Sequence, residues 1–239
     1  MVYVMSDIHG NLRRFNSILS QICLQPTDTL YILGDVVDRH PHGIHILRKI
    51  MAMPNAKMLL GNHEHMMLRA LDQPYDENDK NFPYSTADWL RIWYRNGGKV
   101  THDHLKRIRK ALRKEIFAYL ASLPLDLDII VCGKAYKLVH GGPLAEYSQE
   151  DASYKNATHY CVWKRWQKEE ETPGDYTMIF GHTPTQYYQD NCPMEIYIRG
   201  SMIGIDCGSG YPEDPAHEEN RYGRLACLRL DDGQVFYSE

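Results

Sequence analysis

The stretch VYVMSDIHG, residues 2–10, joins a short apolar run of β-forming residues to a polar turn that carries Asp7 and His9. Residues 12–24 then repeat apolar side chains at the spacing of an amphipathic helix. A strand that ends in polar residues and continues into a helix begins a β-α-β unit. The opening of the chain therefore predicts an α/β fold whose first strand ends at a potential ligand site.

The same pattern recurs in the first third of the chain. The predicted elements are strands at residues 29–33 and 57–60 and helices at residues 42–51 and 64–71. Each strand ends at a glycine followed by a polar residue, Gly34-Asp35 and Gly61-Asn62. This alternation of strands and helices predicts a largely parallel, buried sheet.

Residues 73–123 have a different character. The predicted elements there are an irregular polar loop at residues 74–83 and helices at residues 87–95 and 104–120. Trp89 and Trp93 lie at helical spacing and are predicted to belong to the core. We expect this block to be a helical insertion or cap within a single domain that spans residues 1–239.

The second half of the chain returns to strands. They are predicted at residues 127–132, 135–139, 176–180, 195–199, 202–205, 225–230 and 234–237. Glycine-containing turns separate three of the pairs, which indicates hairpins. A second, mostly antiparallel sheet is therefore expected.

Composition limits the class of protein. The chain has 239 residues, of which 43% are hydrophobic and 24% charged, as in globular proteins. Lys and Arg number 27 against 31 Asp and Glu, so no basic field favours nucleic acid. No apolar run reaches the ~18 residues of a membrane helix, and no signal peptide is recognisable. We expect a cytoplasmic protein with reduced cysteines and with no nucleic-acid or membrane partner.

Five of the predicted strands end in a small residue beside Asp, His or Asn. The five motifs are SDIHG at 6–10, GDVVDRH at 34–40, GNHE at 61–64, HGG at 140–142 and GHT at 181–183. Alone, Asn62 could be a helix cap, and His140 or His182 could be a buried core histidine. Because ligands bind beyond the carboxyl ends of strands in open α/β sheets, five such ends together predict one shared, metal-capable site.

In this order, the motifs D-x-H-G, G-D-x-V-D-R, G-N-H-E, H-G-G and G-H-T resemble the phosphoprotein phosphatase family of metallophosphoesterases. The resemblance is greatest to the bacterial and phage branch of metal-dependent Ser/Thr protein phosphatases. It covers residues 6–183 and extends to the segments IDCGSGY at 205–211 and GRLACLRL at 223–230. It implies an α/β sandwich of two mixed β-sheets flanked by helices.

The resemblance also implies a site for two divalent metal ions. The implied ligands are Asp7, His9 and Asp35 for one ion, and Asp35, Asn62, His140 and His182 for the other. Carboxylate, imidazole and amide groups together suit Mn²⁺, which is the expected metal, with Fe or Zn²⁺ as alternatives. In such proteins a hydroxide that bridges the ions attacks phosphorus directly, so no covalent protein intermediate is required.

Four further residues acquire implied roles from the resemblance. His63 matches the general acid that protonates the leaving group, and Asp38 matches the carboxylate that orients this histidine. Arg39 matches an arginine that clamps phosphate oxygens. A second clamp arginine is expected in CVWKRW, residues 161–166, where Arg165 is the candidate and the adjacent Lys164 is the alternative.

Two positions depart from the family pattern. Ser6 stands where glycine usually precedes the first aspartate, and we expect little effect from it. His40 stands where glycine usually follows the clamp arginine. If that position needs a positive φ angle, histidine is strained there; alternatively, its ring lies near the substrate and adds a hydrogen-bond donor.

The expected activity is hydrolysis of phosphoserine or phosphothreonine in proteins. One alternative is a dinucleoside polyphosphate hydrolase, such as a diadenosine tetraphosphate hydrolase, of the same superfamily. Glu64 favours the protein phosphatase activity, because the symmetrical dinucleoside tetraphosphatases typically carry aspartate at that position. A non-catalytic module that binds phosphoproteins is a third possibility. The partner is thus a phosphorylated protein or a small phosphoester, and the oligomeric state stays open.

Overall fold

The computed structural model describes residues 1–72, 84–191, 194–211 and 223–238. In chain order its elements are β1 (Val2–Met5), α1 (Leu12–Ile22), β2 (Thr29–Ile32), α2 (Gly43–Met51), β3 (Ala56–Met58), α3 (Asn62–Leu71), α4 (Thr86–Arg95), α5 (Lys99–Leu105), α6 (Lys110–Ala121), β4 (Asp126–Val131), β5 (Lys134–Val139), α7 (Ala157–Trp163), β6 (Thr177–Phe180), β7 (Tyr197–Arg199), β8 (Met202–Gly204), β9 (Ala226–Arg229) and β10 (Val235–Tyr237).

The strands form two five-stranded mixed sheets. The first has the order β10-β9-β1-β2-β3, in which β1, β2 and β3 are parallel. The second has the order β4-β5-β6-β8-β7, in which β5, β6 and β8 are parallel. The expectation of a mostly antiparallel second sheet is therefore wrong. The hairpin β9-β10 leaves that sheet and pairs with β1, where the apolar run at 226–228 is buried.

Side chains alternate between two apolar layers along the first sheet. Val4 and Tyr31 face the second sheet and pack with Leu138 and Ile179, whereas Met5 faces the layer of helices. This alternation is the period-two pattern of a sheet that is buried on both faces. The predicted fold, a sandwich of two mixed sheets flanked by helices, is confirmed.

Residues 84–123, the described part of the block after α3, contain three helices rather than two. The helix predicted over residues 104–120 is interrupted between Leu105 and Lys110. Leu105, Ile116 and Leu120 are all buried in the core, so the chain changes direction to bring both segments onto it. The basic run at 106–110 also places like charges three and four residues apart, which weakens a continuous helix. The loop predicted at residues 74–83 lies outside the described residues.

Helix α7 was not recognised in the sequence. It begins after Asn156, whose side chain accepts a hydrogen bond from the backbone N–H of His159. Among the described residues, no helix has both the length and the apolar character needed to cross a bilayer. The five described cysteines are not joined in disulfides.

Candidate active site

The polar residues after five strands meet at one edge of the sandwich. Asp7 follows β1, Asp35 follows β2, Asn62 opens α3 after β3, His140 follows β5 and His182 follows β6. All five are at most 5% exposed. The backbone N–H of His182 donates to Asp7 Oδ2 at 3.1 Å, and thereby joins the edges of the two sheets. The predicted convergence of these strand ends is thus present in the structure.

The backbone at this edge is strained. Eight described non-glycine residues have positive φ, and six of them are candidate site residues: Asp7, His9, Asp35, Asp38, Arg39 and His182. A residue in this region costs about 1–3 kcal/mol and persists only where its surroundings fix it. Gly61 passes so close to Asp35 that an added Cβ would collide with the Asp35 carboxylate and backbone nitrogen. The strained backbone conformations therefore hold these side chains close together at the edge of the sandwich.

The first group of potential ligands lies around His9. Its Nδ1 lies 3.2 Å from the carbonyl oxygen of Val37 and donates its proton there. The lone pair of Nε2 then points at two carboxylates, 3.8 Å from Asp35 Oδ2 and 4.0 Å from Asp7 Oδ1. His63 also belongs to this group, with Nε2 3.9 Å from Asp35 Oδ2. His9 Nε2 and the carboxylate oxygens of Asp7 and Asp35 therefore face one another as acceptors, which is the arrangement that a cation satisfies.

A second group lies on the other side of Asp35. His140 donates its Nδ1 proton to the carbonyl oxygen of Leu33 at 2.7 Å, so its Nε2 carries a lone pair. That Nε2 lies 2.9 Å from Asn62 Oδ1, which is also an acceptor, and His182 Nδ1 lies 2.9 Å from the same oxygen. Asp35, His140 and His182 together could hold an ion. The His and Asp groups thus suit a dinuclear site that shares Asp35, and the fit to two cations is good.

The protonation of these groups also suits cation binding. Burial lowers the pKa of His9 and of His182 well below the ordinary value, so both rings are neutral at pH 7 and could each offer a lone pair to a cation. Burial, and then the charge of Asp35, raise the pKa of Asp7 to about 7. Burial opposes ionisation of Asp35, but His140 and His63 outweigh it and lower its pKa. A bound cation would relieve the repulsion between the two carboxylates.

His63 and Asp38 form a buried pair beside these groups. His63 Nδ1 lies 2.7 Å from Asp38 Oδ2, and both side chains are at most 1% exposed. Burial disfavours the imidazolium, but the carboxylates of Asp35 and Asp38 outweigh burial and raise the pKa of His63. Since Nδ1 faces Asp38, the proton available to a substrate would be carried on Nε2.

A cleft of about 1180 Å³ opens next to the pair. Arg39 and Arg165 both line it. The Arg165 guanidinium is held by the carbonyl oxygen of His182 at 3.3 Å and by Thr183 Oγ1 at 3.2 Å. Lys164, the alternative clamp, is instead paired with Glu170 at 2.6 Å. The structure therefore turns Arg165, and not Lys164, toward the cleft.

The two departures from the family motifs are accommodated. The Ser6 hydroxyl donates to Asp7 Oδ2 at 2.5 Å and so supports the carboxylate that it precedes. His40 does not have a positive φ, so the strain considered for this position is absent. Its ring lines the cleft, and Nε2 lies 3.3 Å from the carbonyl oxygen of Tyr211.

Glu64 has a structural position that the sequence did not reveal. It is 0% exposed, and its carboxylate accepts hydrogen bonds from the backbone N–H groups of Asp35 at 2.9 Å, Val36 at 2.8 Å and Val37 at 3.1 Å. It does not line the cleft. Glu64 therefore supports the loop that carries Asp35.

We expect Glu64→Ala to destabilise the fold by about 3 kcal/mol, because each buried N–H group left without a partner costs about 1–3 kcal/mol. Urea unfolding of the metal-free protein measures this change. Glu115→Ala, on the exposed face of α6, is the matched control and should stay within about 0.5 kcal/mol of wild type. A Glu64 variant as stable as the control would show that water accepts the hydrogen bonds of these three backbone N–H groups in place of the carboxylate.

Sequence reasoning assigned Trp93 only to the core and did not single out Thr101. Both contact Asp38: Trp93 Nε1 donates to Asp38 Oδ2 at 2.7 Å, and Asp38 N–H donates to Thr101 Oγ1 at 3.0 Å. The available signal was chemical, because a buried indole N–H requires an acceptor. Nothing in the sequence spacing indicated which acceptor it would find.

Comparison with known proteins agrees with the geometry. The family model for calcineurin-like phosphoesterases matches residues 1–200. The chain is 29% identical over 154 residues to a symmetrical bis(5'-nucleosyl)-tetraphosphatase of Aromatoleum aromaticum, which covers 63% of this chain and 47% of that protein. It is 28% identical over 187 residues to a protein of the same name from Acidovorax ebreus, which covers 77% of this chain and 57% of that protein.

A solved metallophosphoesterase from Sphaerobacter thermophilus has the same fold, with a TM-score of 0.54, 17% identity and coverage of 99% of this chain and 86% of that chain. The chain spans about half the length of the curated relatives described above. It belongs to the calcineurin-like phosphoesterase family, a family of metal-dependent hydrolases.

Proposed function

We propose that the protein hydrolyses dinucleoside polyphosphates, by cleavage of a phosphoric anhydride within the polyphosphate chain. The observation that carries this proposal is the size and lining of the cleft. Its volume of about 1180 Å³ exceeds that of most small-molecule sites, about 300–1000 Å³. Four cationic side chains line it: Arg39, Arg95, Arg165 and Lys168.

The cleft offers more positive charge than one phosphoryl group requires. Arg39 and Arg165 are sufficient to clamp the reacting phosphate. Arg95 and Lys168 then remain for the phosphates further along a chain, and Tyr187, which is 60% exposed, offers a ring on which a base can stack. The names of the curated relatives point to the same substrate class.

The proposed residue roles follow from the positions described above. Asp7, His9, Asp35, Asn62, His140 and His182 would hold two divalent cations. Such a pair supplies Lewis-acid polarisation of phosphoryl oxygens and acidifies water. Mn²⁺ is the proposed metal, with Fe or Zn²⁺ as alternatives. Arg39 and Arg165 would orient the phosphate, Asp38 would fix the ring of His63, and His63 Nε2 would give a proton to the leaving oxygen.

Protein dephosphorylation is the second candidate. The pair His63–Asp38 favours it, because an alkoxide leaving from phosphoserine needs a proton far more than a nucleoside diphosphate does. Glu64 does not distinguish the two candidates, since it is buried under the Asp35 loop.

The test is a side-by-side assay with added Mn²⁺ on diadenosine tetraphosphate, a phosphothreonine peptide and p-nitrophenyl phosphate. We expect the highest kcat/KM on the dinucleotide, with adenosine diphosphate as the product of attack at an inner phosphorus. A higher value on the peptide would favour the second candidate. No turnover of any substrate would support a non-catalytic binding module.

We further expect Arg95→Ala to raise KM for diadenosine tetraphosphate about tenfold, as one hydrogen-bonded charge contributes ~1.5–3 kcal/mol. KM for p-nitrophenyl phosphate should not change, because that ester has no distal phosphate. Arg91→Ala is the matched control on the same helix; Arg91 pairs with Asp88 and does not line the cleft. An equal KM for the dinucleotide in both variants would show that the polyphosphate chain does not contact Arg95.

A further inference from the structure

The inner edge of the helical block holds the residues that carry the proposed acid. Three contacts run from residues 93–101 to the turn after β2. Trp93 Nε1 donates to Asp38 Oδ2 at 2.7 Å, Asp38 N–H donates to Thr101 Oγ1 at 3.0 Å, and Arg39 N–H donates to the Gly97 carbonyl oxygen at 3.2 Å. Asp38 and Arg39 both have positive φ, 74° and 63°. The block therefore fixes the strained pair of residues from one side.

The contact from Trp93 is the most specific of the three. Asp38 is 0% exposed, and all the side-chain hydrogen bonds described for its carboxylate converge on Oδ2: one from His63 Nδ1 and one from the Trp93 indole, each 2.7 Å long. Within the described residues Oδ1 has no hydrogen-bond partner. Trp93 is thus the second donor to the carboxylate oxygen that His63 Nδ1 contacts.

The residues around Trp93 confine its indole ring. Trp93 is 0% exposed, and an added Cβ on Gly98 would collide with the Nε1 edge of its ring. The backbone N–H of Gly98 donates to the Trp93 carbonyl oxygen at 2.9 Å, which closes the end of α4 over the ring. A ring confined in this way has few alternative rotamers, so its N–H direction is set by packing.

We propose that Trp93 is a positioning residue for the acid of the reaction. It acts through Asp38, with Thr101 as a second support, and α4–α5 serve as a scaffold for the pair His63–Asp38. This inference rests on the proposed role of His63 as proton donor and not on the identity of the substrate. Without the indole N–H, the Asp38 carboxylate can rotate about its terminal bond, and the His63 ring loses its fixed tautomer and direction.

The test compares leaving groups. Trp93→Phe keeps a ring and removes the donor. We expect it to lower kcat on phenyl phosphate about tenfold, in the range that supporting residues around a metal site show. On p-nitrophenyl phosphate, whose leaving group hardly needs a proton, the change should be under about threefold. Trp89→Phe is the matched control on the same helix; that ring packs against His65 and should affect neither substrate.

A double-mutant cycle separates positioning from general damage. If Trp93 acts through His63, Trp93→Phe should have no further effect in a His63→Asn background. Thr101→Val, which keeps the side-chain shape and removes the acceptor, should give the same selective loss if Trp93→Phe folds poorly. Equal losses on both esters, or additive effects with His63→Asn, would overturn the proposal.

A spectroscopic measurement distinguishes failure of this proposal from failure of the proposed function. At a pH at which the imidazole of His63 is neutral, nitrogen NMR of selectively labelled histidine should show a single Nδ1–H tautomer in wild type and a mixture of tautomers in Trp93→Phe. This readout needs no turnover and applies even if dinucleotides are not substrates. An unchanged tautomer in the variant would contradict the positioning role whatever substrate the enzyme prefers.

Discussion

Asp35→Asn is expected to abolish turnover, with kcat/KM reduced about 1000-fold or more. Within the part of the chain that the structure describes, Asp35 is the carboxylate that both potential cation groups share, 3.8 Å from His9 Nε2 and 3.6 Å from His140 Nε2. Loss of its charge would weaken both ion sites together. If this forfeits ~4 kcal/mol of the charge stabilisation that metal ions supply, the rate falls about 1000-fold.

The measurement is kcat/KM on diadenosine tetraphosphate and on p-nitrophenyl phosphate, because a defect of the shared centre affects all substrates alike. Asp128→Asn is the control; its side chain is 75% exposed on the second sheet. Circular dichroism should show that both variants are folded. Retention of a tenth of wild-type activity by Asp35→Asn would rule out a catalytic centre built on this residue.

His63→Asn is expected to have the second largest effect, and one that depends on the leaving group. General acid catalysis contributes about 10²–10⁴-fold, so we expect a loss of about 1000-fold on a phosphothreonine peptide or phenyl phosphate. The loss on p-nitrophenyl phosphate should be about tenfold or less, and that on diadenosine tetraphosphate should lie between these. The raised pKa of His63 follows from Asp35 and Asp38, which outweigh its burial.

The structure also places His63 within reach of the first cation group. The experiment distinguishes a metal-ligand role of His63 from an acid role, because loss of a metal ligand slows the hydrolysis of every ester to a similar extent. Equal losses on p-nitrophenyl phosphate and on the peptide would therefore identify His63 as a ligand and contradict its role as the acid.

Much of the site could be predicted from sequence because it lies where strands end. A short apolar run followed by Gly-Asp or Gly-Asn defines both the strand and the position of the polar residue, so Asp35 and Asn62 could be located without coordinates. Sequence order also gave the parallel strands β1, β2 and β3. The partner of the last hairpin was not predictable, because the local pattern of an apolar strand does not specify its neighbour; the structure shows that β9 pairs with β1.

Contacts between distant segments were the other limit. Glu64 was interpreted as an indicator of substrate class, whereas it binds three backbone N–H groups of the loop after β2. Trp93 was interpreted as core, whereas its N–H lies 2.7 Å from Asp38, 55 residues away along the chain. In both cases burial was predictable and the hydrogen-bond partner was not, because a long-range partner has no signature in local periodicity.

The most direct test of the central claim is the number of metal ions per chain and their proximity. We predict that equilibrium dialysis with Mn²⁺ gives two ions per wild-type chain, and that electron paramagnetic resonance shows a spin-coupled pair, as for ions that share a carboxylate about 3.5–4 Å apart. Asp35→Asn should lose the coupled signal. A single uncoupled ion in wild type, or an unchanged coupled signal in Asp35→Asn, would contradict a dinuclear centre organised by Asp35.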